Sequence, residues 1–159
     1  MENVDIILKD QDYIDLVNRL EDYEKNRIYC KHDFEHFLDV ARICYILILE
    51  NKLDVDKDLV YVTALLHDIG RVIQIEEGID HDKASVAIAK KLLAKTNFNE
   101  RDKARIINAI GAHRKKEAHE DKFIDYFYMA DKLSRMCFRC PARDLCYWPE
   151  EKKNSTVIY

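Results

Sequence analysis

Glycine and proline are scarce here, three and two in 159 residues, and that scarcity weighs against an all-β fold, whose tight turns consume both. Long apolar runs are missing too: the most apolar stretch, Ile43 to Leu49, is about a third of what a bilayer span needs. The opening MENVDIILKD lacks the basic and apolar layout of a signal peptide, so a cytoplasmic, membrane-free protein is expected. Nor is there a block of like charge. A formal net charge of −4 with interspersed signs gives no footing for bulk nucleic acid, although small anions can still meet local arginines. The five cysteines are an odd number without an export signal, which argues against a disulfide framework and leaves metal binding or plain burial.

What is present is apolar material, 48% of the residues, enough to bury one core and too little for two domains. Apolar spacing predicts an all-α bundle of about six helices: Asp12–Asn26, Asp33–Glu50, one from Asp56 as N-cap to Gly70, Asp80–Lys95, Asn99–Lys115 and Asp121–Cys137. Gly70 is expected to end its helix at positive φ. Within that helix, LVYVTALLHDIG is apolar nearly all round and belongs at the centre of the bundle. The longest loop is expected at Arg71–Ile79. Beyond Cys137 the pattern changes to an irregular tail holding both prolines, the single Trp and further cysteines.

Polar residues on these apolar faces need partners. His36 shares a face with Val40, Ile43 and Leu47; His67 and Asp68 follow Val60 and Ala64; His113 follows Ile106 and Ile110; Asp131 follows Ile124 and Phe127. Each alone reads more readily as a hydrogen-bonded core residue than as a ligand. Together they aim imidazole and carboxylate inward from several helices, and an ionised Asp68 at the end of the most apolar one calls for a cation. Mixed nitrogen and oxygen donors suit Fe, Mn, Zn, Ni or Co better than Ca or Mg.

The ordered segments HFLDVARI, ALLHDIGR, IDHDKASVAIA, IINAIGAHR and YMADKLSR resemble the HD superfamily of metal-dependent phosphohydrolases over about residues 30 to 137. The resemblance implies a single HD-domain bundle across 1–159, with residues 138–159 as a Cys-rich tail packed on it. It implies that His36, His67, Asp68 and Asp131 bind one metal and that His81 and His113 match the second-metal positions of dinuclear branches. In length and in its AIxxH and ADK segments the chain looks closest to bacterial HD-type diadenosine tetraphosphate hydrolases. Arg114 and the cysteine tail depart from that group. His81 at a helix start also reads as a capping or surface residue. His32, one turn before His36, is spaced as a second ligand would be, against which stands a solvent-facing or outer role, and His119 reads as exposed.

In such a site the metals acidify a water into a nucleophile, and Asp68 is the natural bridging ligand. Arg71 and Arg114 stand where guanidinium contacts to a phosphate are plausible, or they are ordinary surface charges. Lys132 is a candidate to orient the site or protonate a leaving group, although its place on the helix points it away from Asp131. No general acid is assigned.

CFRCPARDLC gives C-x2-C-x5-C, a metal-binding signal that lacks a fourth ligand. Cys30 and Cys137 each lie six residues from an inward metal-site residue, His36 and Asp131, which on antiparallel helices displaces both toward one end of the bundle. A second site of Cys30, Cys137, Cys140 and Cys146, holding structural zinc or an iron–sulfur cluster, stands against reduced thiols packed under Trp148 and Phe138. Cys44 reads as core. The expected function is hydrolysis of a phosphoester or phosphoanhydride of a nucleotide-like small molecule. Two alternatives remain: a di-iron oxygenase on the same ligand pattern, as in the inositol oxygenases, and a non-catalytic module sensing metal, redox state or nucleotide.

Overall fold

The computed structural model describes all 159 residues and is all-α. Its helices are α1 Glu2–Leu8, α2 Gln11–Glu24, α3 Phe34–Glu50, α4 Lys57–Leu66, α5 Arg71–Glu77, α6 His81–Leu93, α7 Glu100–Ala112 and α8 Lys122–Leu133, followed by single 3-10 turns at Cys137–Arg139, Arg143–Leu145 and Glu150–Lys152. No helix is long and apolar enough to cross a membrane. Short polar side chains start five of the helices: Asp10, Asp33, Asp56, Asn99 and Asp121 each accept from a first-turn N–H.

α4 lies at the centre, packed against α1, α3, α6 and α7, and Leu59, Val60 and every residue from Val62 to Leu66 are buried. A helix with no polar face needs neighbours on all sides, which is why the apolar run of α4 organises the bundle. α3 flanks it and also packs on α8; α6 pairs with α7. One continuous apolar cluster of 29 buried residues joins these elements, with Phe37, Phe123 and Phe127 among its largest fully buried side chains.

Two helices exceed the six expected. α1 is only seven residues long, too short for periodicity to reveal, and it is held by Asp58, whose carboxylate accepts from the N–H groups of Asn3 and Val4. α5 occupies what the sequence suggested was a loop. Only Val72 of this helix is fully buried, so it carries little apolar signal. The α4 helix ends at Leu66 rather than at Gly70, whose φ is −69°. The positive-φ glycine is Gly78, at φ 75°, closing α5. Gly70 is required for space instead: a Cβ there would lie 2.3 Å from Ser85 N and 2.4 Å from His81 O, both on α6. Its own N–H donates to Ser85 Oγ at 2.9 Å, so the turn after α4 and the start of α6 are in backbone contact.

Helix α8 stops at Leu133, which leaves Cys137 off the helix, in the first 3-10 turn; Cys30 likewise precedes α3. The helical rise therefore does not set their positions. The tail is tied back by Asn154, whose Nδ2 donates to the carbonyls of Lys132, Leu133 and Arg135.

Candidate metal centre

Five of the six histidines and two aspartates converge between α3, α4, α6, α7 and α8. His67 is the C-cap of α4, and Asp68 sits in the turn that Gly70 presses onto α6. His36 is in the first turn of α3, its backbone N–H capped by Asp33; His81 opens α6; His113 closes α7; Asp131 lies in the last turn of α8.

The two oxygens of Asp68 face two different groups of imidazoles. Oδ2 lies 3.5 Å from His67 Nε2 and 3.9 Å from His36 Nε2. Oδ1 lies 3.3 Å from His81 Nε2 and 3.4 Å from His113 Nε2. Donor atoms of His36, His67 and Asp68 fall within 4.8 Å of one another, as do those of Asp68, His81 and His113. Asp131 Oδ1 joins the first group, 3.6 Å from His36 Nε2 and 4.0 Å from His67 Nε2.

Every imidazole is turned so that Nε2 points inward. Nδ1 of His67 meets the carbonyl of Ala64 at 2.7 Å and Nδ1 of His113 that of Ile110 at 2.6 Å. A carbonyl only accepts, so Nδ1 carries the proton and Nε2 presents its lone pair. Gln74 Oε1, on the unexpected α5, fixes His81 the same way at 3.0 Å, and Ser134 Oγ lies 3.3 Å from His36 Nδ1. The inward atoms His36 Nε2, His67 Nε2 and Asp68 Oδ1 are buried with no hydrogen-bond partner. Orphaned buried acceptors are costly, and these three, two facing the first imidazole group and one the second, fit cations better than an apolar packing defect.

Charge states agree with that donor set. Burial holds the His67 imidazole neutral, with a pKa lowered to about 3, and that of His81 lowered to about 4; His36 is lowered by the same cause. Burial would raise Asp68, but the Arg71 guanidinium beside it holds it well below the usual carboxylate range, and Lys132 does the same for Asp131. His113 alone is raised, the facing Asp68 overcoming its burial.

Metal-free protein should consequently lose stability on mild acidification. His67 and His81 are neutral when folded and protonate near 6.5 when unfolded, so stability rises with pH between their folded values and 6.5. Each costs about 2 kcal/mol at pH 5, partly offset by His113, whose raised value favours folding below 6.5. A urea midpoint at pH 5 equal to or above that at pH 7 would contradict this assignment of proton states.

Two residues that sequence reasoning set aside or overlooked, His32 and Glu24, belong to the surroundings. His32 is neither solvent-facing nor remote: it is buried, with Nε2 3.8 Å from Asp68 Oδ2 and Nδ1 2.9 Å from Glu24 Oε1. Glu24, at the end of α2 and 4% exposed, also accepts from the His32 backbone N–H. The His32 to His36 spacing was the available signal, but it straddles the start of α3 at Phe34. Glu24→Gln leaves the His32 imidazole weakly oriented beside Asp68 and is expected to lower metal affinity by less than the about 10–100-fold that loss of a ligand's own partner costs, measured by competition with a chromogenic chelator. His119 is half-buried rather than exposed, with Nδ1 2.9 Å from Asp125 Oδ1.

The charged candidates separate. Arg71 Nε lies 3.1 Å from Asp68 Oδ2 without hydrogen-bond alignment, an ion pair at the edge of the cluster. Lys132 does not point away: its ammonium curls back to donate to Asp131 Oδ2 and lies over the Tyr128 ring. Arg114 is on the surface, paired with Asp82 at 3.1 Å and Asp80 at 3.7 Å. The four cysteines named above line one cavity of about 770 Å³ whose wall also includes His36, and Cys44 is fully buried in the core.

Residues 33–146 match the HD domain family. The whole chain aligns with the whole of an uncharacterized protein of Clostridium beijerinckii at 42% identity over 159 residues. The fold is similar to a crystal structure described as a predicted HD superfamily hydrolase from an uncultured Thermotogales bacterium, with a TM-score of 0.65, 24% identity, and coverage of 90% of this chain and 80% of that one. At that identity the likeness carries the fold.

Proposed function

This chain belongs to the HD domain family, and from that premise we propose that it is a metal-dependent phosphohydrolase cleaving a phosphoester or phosphoanhydride of a small, nucleotide-like molecule. The observation that carries the reading is Asp68, whose oxygens each face a separate set of inward Nε2 atoms. His36, His67, Asp68 and Asp131 would hold one divalent transition ion, and Asp68, His81 and His113 a second. Ions held there supply Lewis-acid polarisation of a phosphoryl oxygen and an acidified water.

The protein's own groups complete the chemistry. Lys132 keeps Asp131 ionised, and carbonyls fix the His67 and His113 tautomers, so the donors are ready without reorganisation. Arg71, about one-fifth exposed, is the cation placed to meet a phosphate oxygen beside Asp68. Arg114, engaged by Asp80 and Asp82, is assigned to holding the α6 start to the end of α7.

The test is a phosphate-release screen over nucleotides and phosphomonoesters, using metal-free protein reloaded separately with Mn, Fe, Co, Ni or Zn. Release with at least one ion, lost in Asp68→Ala, is the expected result. Oxygen uptake with a polyol or phosphonate and no phosphate release would replace hydrolysis with the oxygenase reading. Nucleotide binding without turnover under every ion would leave a sensing module.

A further inference from the structure

Four of the five cysteines are unlike the fifth. Cys44 is fully buried among aliphatic side chains of α3, the position of a thiol used for packing. Cys30, Cys137, Cys140 and Cys146 instead line the same cavity, none in a disulfide, brought together from the approach to α3 and from two 3-10 turns of the tail. Burial pushes the Cys30 thiol up, and the nearby Cys137 and Cys140 push it further, while Arg135 pulls it down; as thiolates these groups would repel one another across the cavity.

The segment they belong to buries little apolar surface and is tied to the bundle mainly by hydrogen bonds, those of Asn154 among them. From residue 137 onward only Cys137 and Ala142 are buried, whereas Leu145 and Tyr147 are exposed by 72% and 74%. Hydrogen bonds fix its local shape: Tyr29 donates to the carbonyl of Leu145 at 3.1 Å, Arg27 to that of Cys30 at 2.8 Å and Arg143 to that of Cys137 at 3.3 Å. A segment of this kind, with ordered turns and almost no apolar burial, is characteristic of chains stapled by a metal group.

We propose that Cys30, Cys137, Cys140 and Cys146 ligate a [4Fe–4S] cluster that clamps the tail onto the start of α3. Zinc is disfavoured by spacing. A tetrahedral zinc at about 2.3 Å from each sulfur draws all four within about 3.8 Å of one another and leaves no space between them, whereas these four thiols line a cavity of about 770 Å³. A cuboidal cluster sits between its ligands and binds each thiolate at a different iron, so it needs a wider cage, and the cavity supplies one. Ligation costs four thiol protons. With a core of 2+, the bound group carries a net charge of 2−, and Arg27, Arg135, Arg139 and Arg143 are among the residues of the cavity wall.

The test is anaerobic reconstitution with equal amounts of ferrous and ferric iron, and sulfide equal to their sum, which balances a 2+ core without an added oxidant. Wild type is expected to gain about four acid-labile sulfides per chain and a paramagnetic signal on one-electron reduction. The double variant Cys140→Ala with Cys146→Ala is expected to gain none. Cys44→Ser and Asp68→Ala should keep the full sulfide count, which separates this site from the His and Asp centre. Wild type that takes up zinc or bare iron with no labile sulfide overturns the proposal, as does a double variant that retains its sulfide. Should that variant not fold, the wild-type sulfide count decides alone.

Discussion

Asp68→Ala lowers turnover by about a thousandfold or more, the largest catalytic effect expected of any single substitution here. The size follows from position. Asp68 is the only carboxylate in the donor group with His81 and His113, so its removal leaves two neutral imidazoles there, too little to hold a second ion. The first group keeps Asp131 but loses the oxygen facing His36 and His67. Arg71 simultaneously loses its partner and becomes a cation beside an apolar core. Asp68→Asn preserves volume and separates charge from shape: it should resemble the alanine variant in activity while melting closer to wild type. Steady-state kinetics with elemental analysis on the same preparations would show it, and an alanine variant within tenfold of wild type would remove Asp68 from the centre of the reaction.

Gly70→Ala should be the most destabilising change of a single small residue. The new Cβ would meet Ser85 N at 2.3 Å and His81 O at 2.4 Å, and neither backbone atom can yield without moving α6. A cost above about 3 kcal/mol is expected, a fall in melting temperature of roughly 10 °C for a chain of this size. Because His81 opens α6, any folded fraction should also lose affinity at the second donor group. The other two glycines serve as controls. Gly78→Ala imposes a side chain on φ 75° in open space and should cost about 1 kcal/mol. Gly111→Ala places Cβ 3.7 Å from Val86 Cγ2 inside α7 and should be neutral or slightly stabilising. Thermal melts of the three variants that fail to rank in this order would show that Gly70 is not the contact point described.

The helices that carry strong apolar periodicity were legible in the sequence, and so was the inward aim of His36, His67, Asp68, His113 and Asp131, because a polar residue on an apolar face is conspicuous. What escaped has a common cause. α1 and α5, seven residues each, are too short to write a period, so Gln74, which orients His81, had no element to stand on. Glu24 and His32 are neighbours only after the chain turns between α2 and α3, and a separation of eight positions across irregular backbone leaves no spacing rule to join them. Gly70 was singled out for the wrong property: conformational freedom is visible in a residue type, whereas close approach of a distant helix is not. Lys132 shows the complementary limit, since its flexible side chain reverses the direction that its Cα position dictates.

The central claim is that the buried Nε2 and carboxylate atoms form two adjoining ion sites sharing Asp68. Calorimetric titration of metal-free wild type with Mn(II), followed by electron paramagnetic resonance, tests it most directly. Uptake of about two ions per chain, with signal loss from coupling between them as the second enters, is the predicted result. Wild type that binds no Mn, Fe, Co, Ni or Zn, or binds them equally well as Asp68→Ala, would contradict the account.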